Sequence, residues 1–227
     1  MPALCFDCSL KSVSVAITQN DKVLAEHFIA NSENHAVSLM PLIEQVCASV
    51  GILPAQMDFF AFAIGPGAFT SLRIAAATAK GFSIALDKPL IGISSLDAIA
   101  LNIKDASTNI CPMIDARNGL VYTSLYEPRS QSVGCKIKVD CLIAVEAFLD
   151  ELVGHTIFVG SGVRANEKLI SSRMPDTAMF ADIEADFVKA SAFSTYAWEL
   201  FAQKQFLNPI SFTPIYLRTS TAEIKAQ

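Results

Sequence analysis

The 227 residues (24.4 kDa) allow one large domain or two small ones, either able to bury a proper core. Seventeen basic against 22 acidic residues give a net charge of −5 and a pI near 5.2, with no Lys/Arg cluster, which argues against a protein that grips nucleic acid alone. Hydrophobic residues make up 52% of the chain and charged ones 17%, against about 25% charged in an average domain, so an apolar patch kept for another protein is expected.

The longest uncharged stretch, Phe59 to Leu72, has 14 residues interrupted by Gly65-Pro66-Gly67, shorter than the roughly 20 that a membrane-spanning helix needs. Met1-Pro2-Ala3-Leu4 lacks the basic-then-apolar order of a signal peptide, so a cytoplasmic protein is expected. Reduced thiols are then the default for the six cysteines. Cys5 and Cys8 form a CxxC within a predicted strand, where an offset of three sends the side chains to opposite faces; core cysteines are expected there.

In chain order, Ala3–Cys8, Ser12–Thr18 and Lys22–Ala30 are read as a three-stranded meander. Ser32-Glu33-Asn34 offers caps to a helix whose apolar face is Ala36, Leu39, Met40, Ile43, Val46, Cys47 and Val50. Asp58–Ile64 reads as a strand buried on both faces. Gly65-Pro66-Gly67 breaks it, and Thr70 or Ser71 is expected to cap a helix reaching about Leu86. Leu90–Ile93 is a strand and Leu96–Leu101 a helix, so the order fits a mixed sheet with packed helices. The polar stretch Lys104–Asn109 reads as a linker, after which strand, Asp115, turn, strand repeats the opening around Asp7, with the two aspartates 108 residues apart. Further strands are expected near 136–143 and 156–159, helices near 145–152 and 164–170, a long helix near 185–204 and an extended tail over 209–218.

GPGAFTSLR at Gly65–Arg73 is the most informative stretch. It is neither a Walker loop nor GxGxxG, so a phosphate site and a structural strand-to-helix turn both stand, with the turn favoured. The helix behind it has two stripes, Arg73, Ala76, Ala77 and Lys80 on one, Leu72, Ala75, Ala79, Phe82 and Leu86 on the other. If the first stripe faces a partner, an arginine at Ala76 or Ala77 is expected to leave folding intact and to abolish partner binding. His27, His35 and His155 form no zinc-peptidase pattern and no GxSxG elbow exists, so hydrolysis has no visible machinery. The strand-Asp-turn-strand opening resembles the first phosphate loop of the actin, sugar kinase and Hsp70 superfamily. Asp7-Cys8-Ser9-Leu10-Lys11 supplies one hydroxyl and no glycine for it, so Asp7 and Ser9 read as an eroded phosphate loop. Val159-Gly160-Ser161-Gly162 reads either as the remnant of an adenosine loop or as a strand-to-helix turn.

FDCSLKSVSVAI, HAVSLMPLIEQV, AFAIGPGAFTSLRIAAATAKGFS, GISSLDAIA, IDARNGLVY and PIYLR, in that order, together resemble the TsaB (YeaZ) family of bacterial tRNA threonylcarbamoyladenosine (t6A) synthesis. The resemblance implies a two-lobed actin-like (ASKHA) α/β fold, each lobe an RNase H-like mixed sheet, with lobes over 1–103 and 104–227 and the helix near 185–204 returning to the first. It implies a non-catalytic scaffold, without cofactor or metal, that binds a larger TsaD-like paralogue and is joined by a TsaE-like ATPase. It also implies tRNA contact only through the complex, no membrane contact, and a homodimer when the partner is absent. Carried onto this chain, the partner interface is His35, Leu39, Met40 and Ile43 of the first helix, with Gly67, Phe69, Thr70, Arg73, Ala76, Ala77 and Lys80 of the loop and second helix. Ser71 stands where the family usually has glycine, and Cys8 where a small hydroxyl residue is common. The alternative is an ATP-binding, small-molecule kinase-like enzyme of the same superfamily, which calorimetry with ATP and magnesium separates from a scaffold.

Overall fold

The run Ala3–Asp7 (β1) is buried at every residue because it becomes the middle strand of a sheet covered on both faces. In the computed structural model, which describes residues 1–20, 22–30, 35–130 and 135–218, β1 pairs antiparallel with β2 (Val13–Gln19), and β2 with β3 (Lys22–Ile29). After α1 (His35–Val50), β4 (Phe59–Gly65) returns parallel to β1. α2 (Phe69–Leu86) then leads to β5 (Leu90–Ser94), parallel to β4, and to α3 (Ser95–Ala100). The order β3-β2-β1-β4-β5 is RNase H-like. The expected capping stretch Ser32-Glu33-Asn34 lies outside the described residues.

The alternation of the strands decides which helix covers which face. Leu4, Phe6 and Cys8 share a core with Phe60 and Phe62, with Leu39, Ile43 and Val46 of α1, and with Ala75 and Ala79 of α2. Each large apolar side chain buried there contributes about 1.5–3 kcal/mol of transfer free energy. Cys5 points to the opposite face, where burial pushes its thiol up to about 12. Neither cysteine of the CxxC is exposed.

Contacts divide the chain into two units, Met1–Ala98 with Val188–Tyr216, and Ile99–Phe187 with the residues from Leu217. In the second unit, the two-residue strand β6 (Asp105–Ala106) precedes β7 (Asn109–Asp115) and β8 (Leu120–Tyr126), and β9 (Arg129–Ser130) pairs with β6. β10 (Lys136–Ala144), α4 (Val145–Leu149), β11 (Thr156–Val159), α5 (Ser161–Arg173) and β12 (Ala178–Phe180) follow. The order β10-β8-β7-β11-β12 and its strand directions repeat those of the first sheet, which makes the chain a duplicated α/β unit. Asp7 ends β1 and Asp115 ends β7, and each carboxylate accepts the N–H two residues on, from Ser9 at 2.9 Å and Arg117 at 2.8 Å.

Val159-Gly160-Ser161-Gly162 is a packed strand-to-helix turn. Gly160 has φ +110°, and a Cβ there would lie 2.3 Å from the Met113 carbonyl oxygen. Its N–H donates to Asp186 Oδ1 at 2.6 Å, while Arg164 Nε donates to Asp186 Oδ2 at 2.6 Å. Asn102 Nδ2 donates to the carbonyls of Ala185 and Phe187. These bonds hold Ile183–Asp186 in a short 3₁₀ turn, so the last helix, α6 (Ala190–Ala202), starts later than its periodicity predicts.

α6 covers the second face of the first sheet. Phe59 sits 4.8 Å from the Trp198 ring and 4.6 Å from Phe201, and Trp198 Nε1 donates to Thr18 Oγ1 at 3.1 Å. The start of α6 is capped from far away in sequence: Ala190 N–H donates to Ser14 Oγ at 2.8 Å and Ser191 N–H to Glu26 Oε1 at 3.2 Å. An anionic carboxylate at that end also complements the helix dipole. Replacing Ser14 by Ala strips this buried N–H of its acceptor and is expected to cost about 1–2 kcal/mol. Urea unfolding will show it as a lower midpoint at unchanged slope.

Candidate functional site

The Gly-Pro-Gly turn exists for close approach of the chain to itself. Gly65 has φ +107°, and a Cβ there would lie 2.7 Å from the carbonyl oxygen of Ile215, whose N–H donates to Ile64 O at 2.8 Å. A Cβ on Gly67 would lie 2.5 Å from Ser9 O, which accepts the Ala68 N–H at 2.9 Å. Both glycines therefore have a structural reason in the packing of the turn. α2 begins at Phe69, behind an Ala68 that offers no side-chain cap. Thr70 and Ser71 thus lie inside the first turn instead of capping it, because the bond from Ala68 to Ser9 sets where the helix starts.

The residues that the resemblance assigned to an interface separate into three groups. Leu39 and Ile43 are 1% and 2% exposed in the core, as is Ala76 at 6%, so none of these side chains is free to meet a partner. An arginine at Ala76 is therefore expected to disrupt folding, contrary to the expectation from sequence, because the stripe it shared with Ala77 divides at that residue. Met40 is 49% exposed, and Thr70, Arg73 and Ala77 face outward. Gly67, Phe69 and Lys80 are half-buried. His35 is the first residue of α1, and its side chain lies outside the described residues.

The outward faces of α1 and α2 hold further residues that the sequence reading passed over. Val37 precedes Met40 by one turn on α1, and Ile84 continues the Ala77 stripe on α2 beyond Gly81, one of the small residues the sequence already offers there. A spacing of three and four from residues already singled out was the signal available for them. At Gly81 a Cβ would find no atom within 4 Å, so nothing in this chain requires a glycine there.

Asp7 is fully buried and makes no ion pair among the described residues. Oδ1 accepts the Ser9 N–H, while Oδ2 and the buried Ser12 hydroxyl have no partner among the described residues. Ser9 Oγ accepts a bond from Ser95 Oγ at 3.1 Å. Burial pushes the Asp7 carboxyl up to about 7, against the opposing pull of the Ser9 hydroxyl and amide. The Ser9 N–H of this turn is thus taken up by the Asp7 carboxylate itself. Among the described residues, no three His, Cys, Asp or Glu side chains converge on a point that could hold a metal ion. None of the described helices is long and apolar enough to cross a membrane.

The model of the family described as TsaD, tRNA N6-adenosine threonylcarbamoyltransferase, matches residues 22–225. The tRNA threonylcarbamoyladenosine biosynthesis protein TsaB of Bacillus subtilis is 26% identical over 227 residues, covering 99% of this chain and 97% of that one. The chain belongs to the TsaB (YeaZ) branch of the TsaD family. YeaZ from Pseudomonas aeruginosa superposes with a TM-score of 0.80 at 23% identity, covering 95% of this chain and 99% of that one. Component A of the (R)-2-hydroxyglutaryl-CoA dehydratase from Acidaminococcus fermentans shares the fold, with a TM-score of 0.51 at 9% identity, over 89% of this chain and 99% of that one. The actin-like α/β fold, with two RNase H-like mixed sheets, is thus established for this TsaB-type chain.

In this TsaB-type chain the raised Asp7 pKa has a stability consequence of definite sign. The folded state holds the proton more tightly than an unfolded aspartate of pKa 3.8, so the stabilisation is complete below that value. It falls as pH rises towards about 7 and is level above. Asp7→Asn is expected to remove this slope. The difference in unfolding free energy between wild type and Asp7→Asn, measured by urea titration at pH 5 and pH 8, should shift by a few kcal/mol in favour of the variant at pH 8.

Proposed function

We propose that the chain is a non-catalytic, cytoplasmic scaffold subunit of t6A synthesis that docks a TsaD-type paralogue through the outward faces of α1 and α2. A TsaE-type ATPase joins the pair, tRNA is met only through the complex, and two copies cover the same face when the paralogue is absent. The reading draws on the naming of the Bacillus subtilis relative and on the match to the TsaD family model. The net charge of −5, without a basic cluster, suits a subunit that leaves the nucleic acid to others.

The observation that carries the proposal is the outward stripe of α2. Thr70, Ala77, Gly81 and Ala85 are small and exposed, Ile84 beside them is exposed and apolar, and Val37 and Met40 extend the patch on α1. Gly81 costs the free helix about 1 kcal/mol relative to alanine with no compensating contact in this chain. Small residues of this kind let a second helix approach to an axis distance of about 8 Å.

Ala77→Arg leaves the core untouched and is expected to weaken binding to the purified TsaD-type paralogue at least about 100-fold, because a desolvated charge costs several kcal/mol. Ala76→Arg, by contrast, should lower the unfolding midpoint of the isolated chain. Gly81→Ala should raise that midpoint while weakening the complex. Calorimetric titration and thermal melts separate the three, and unchanged affinity for Ala77→Arg would overturn the docking reading.

A further inference from the structure

The tail after α6 straps across the far edge of the first sheet and onto α2. Leu207 N–H donates to Leu90 O at 2.8 Å, and a Cβ on Gly92 of β5 would lie 2.6 Å from Leu207 Cδ1. The Phe212 ring rests edge-on against Phe62 at 5.5 Å, and its carbonyl accepts a bond from Lys80 Nζ at 2.9 Å. Ile215 then bonds to Ile64, as described, and Tyr216 lies 4.9 Å from the Phe69 ring. Phe69 in turn sits under the Arg73 guanidinium, 3.8 Å from carbon to ring centroid.

This chain of contacts ends on a cation that rests on a ring and has no carboxylate partner among the described residues. Arg73 is exposed, and among the described residues it has no carboxylate partner. α2 contains no acidic residue from Phe69 to Leu86. A guanidinium resting on a ring keeps its in-plane N–H donors, while its rotamer freedom is already reduced. Arginine is enriched among the residues that carry interface affinity, and ordering before contact lowers the cost of association. Tyr216 is 40% exposed and prolongs the outward face beyond the two helices.

We infer that the carboxy-terminal strap is a working part of the docking face, in which Tyr216 presets Phe69, and through it Arg73, to pair with a carboxylate on the TsaD-type partner. The inference rests on the docking reading above and adds to it a third element and the partner's complementary charge. Tyr216 is a positioning residue here, and Arg73 is the one that makes the contact.

A double-mutant cycle with the full-length chain and the purified TsaD-type paralogue tests it. Tyr216→Ala should weaken binding about five- to tenfold and Tyr216→Phe hardly at all, since the ring is retained. In an Arg73→Met background, which should also flatten the salt dependence of the affinity, Tyr216→Ala should add less than about twofold. If Tyr216→Ala is silent while Ala77→Arg abolishes binding, the strap inference falls and docking stands. An equal loss in both backgrounds also overturns it, because Tyr216 would then act without Arg73. If Ala77→Arg too is silent, the docking reading itself has failed. A thermal melt of Tyr216→Ala within about 2 °C of wild type establishes that a loss of affinity is not a loss of fold.

Discussion

The middle of the first sheet is apolar on both faces, and most of the architecture follows from covering it. β4 alternates Phe60 and Phe62 with Phe59 and Ala61, all buried, so neither side of the strand is left to water. α1 and α2 cover one side as the helices nearest in sequence. The other side is closed by a helix from the far end of the chain, whose Trp198 and Phe201 pack on Phe59. Ser14 and Glu26, on β2 and β3, supply the acceptors that begin that helix, so a polar contact fixes its position while aromatic burial holds it there. With its inner stripe taken by the sheet, α2 presents outward small residues, the cationic Arg73 and the apolar Ile84.

Local pattern was sufficient for most elements. The apolar run over 58–64, the 3.6-residue period over 36–50 and the return of strand, aspartate, turn and strand at Asp115 all describe what is present. Periodicity failed where a stripe is broader than the buried face. Leu39, Met40 and Ile43 share one apolar arc of α1, yet only Met40 falls outside the core, and Ala76 and Ala77 divide in the same way. A helical arc gives the direction of burial to within about one residue, which is too coarse to sort neighbouring positions between core and surface.

Long-range contacts account for the rest. Gly65, Gly67 and Gly92 are glycines because of Ile215, Ser9 and Leu207, respectively, at separations that no local window spans. The tail shows only its two prolines and scattered aromatics in sequence, and its hydrogen bonds to Leu90 and Ile64 become visible only when the sheet edge is in view. The late start of α6 has the same origin, since Asp186 is drawn to Gly160 and Arg164 in place of continuing a helix.

The two aspartates of the repeat separate geometry from chemistry. Asp7 and Asp115 occupy the same place in their sheets and make the same short bond to the backbone two residues on, which is reason enough for an aspartate at each turn. Their surroundings differ. Asp115 is exposed, beside a hairpin in which Arg117, Asn118 and Gly119 all have positive φ, whereas Asp7 is fully buried, and the Ser9 that follows it is bonded to Ser95 and to the start of α2. Closing the first turn in this way brings Ser9 O against Gly67 and Ala68, so the same contact that encloses the carboxyl also sets the start of α2. In this chain the start of α2 is therefore set by a backbone group of the turn that follows Asp7.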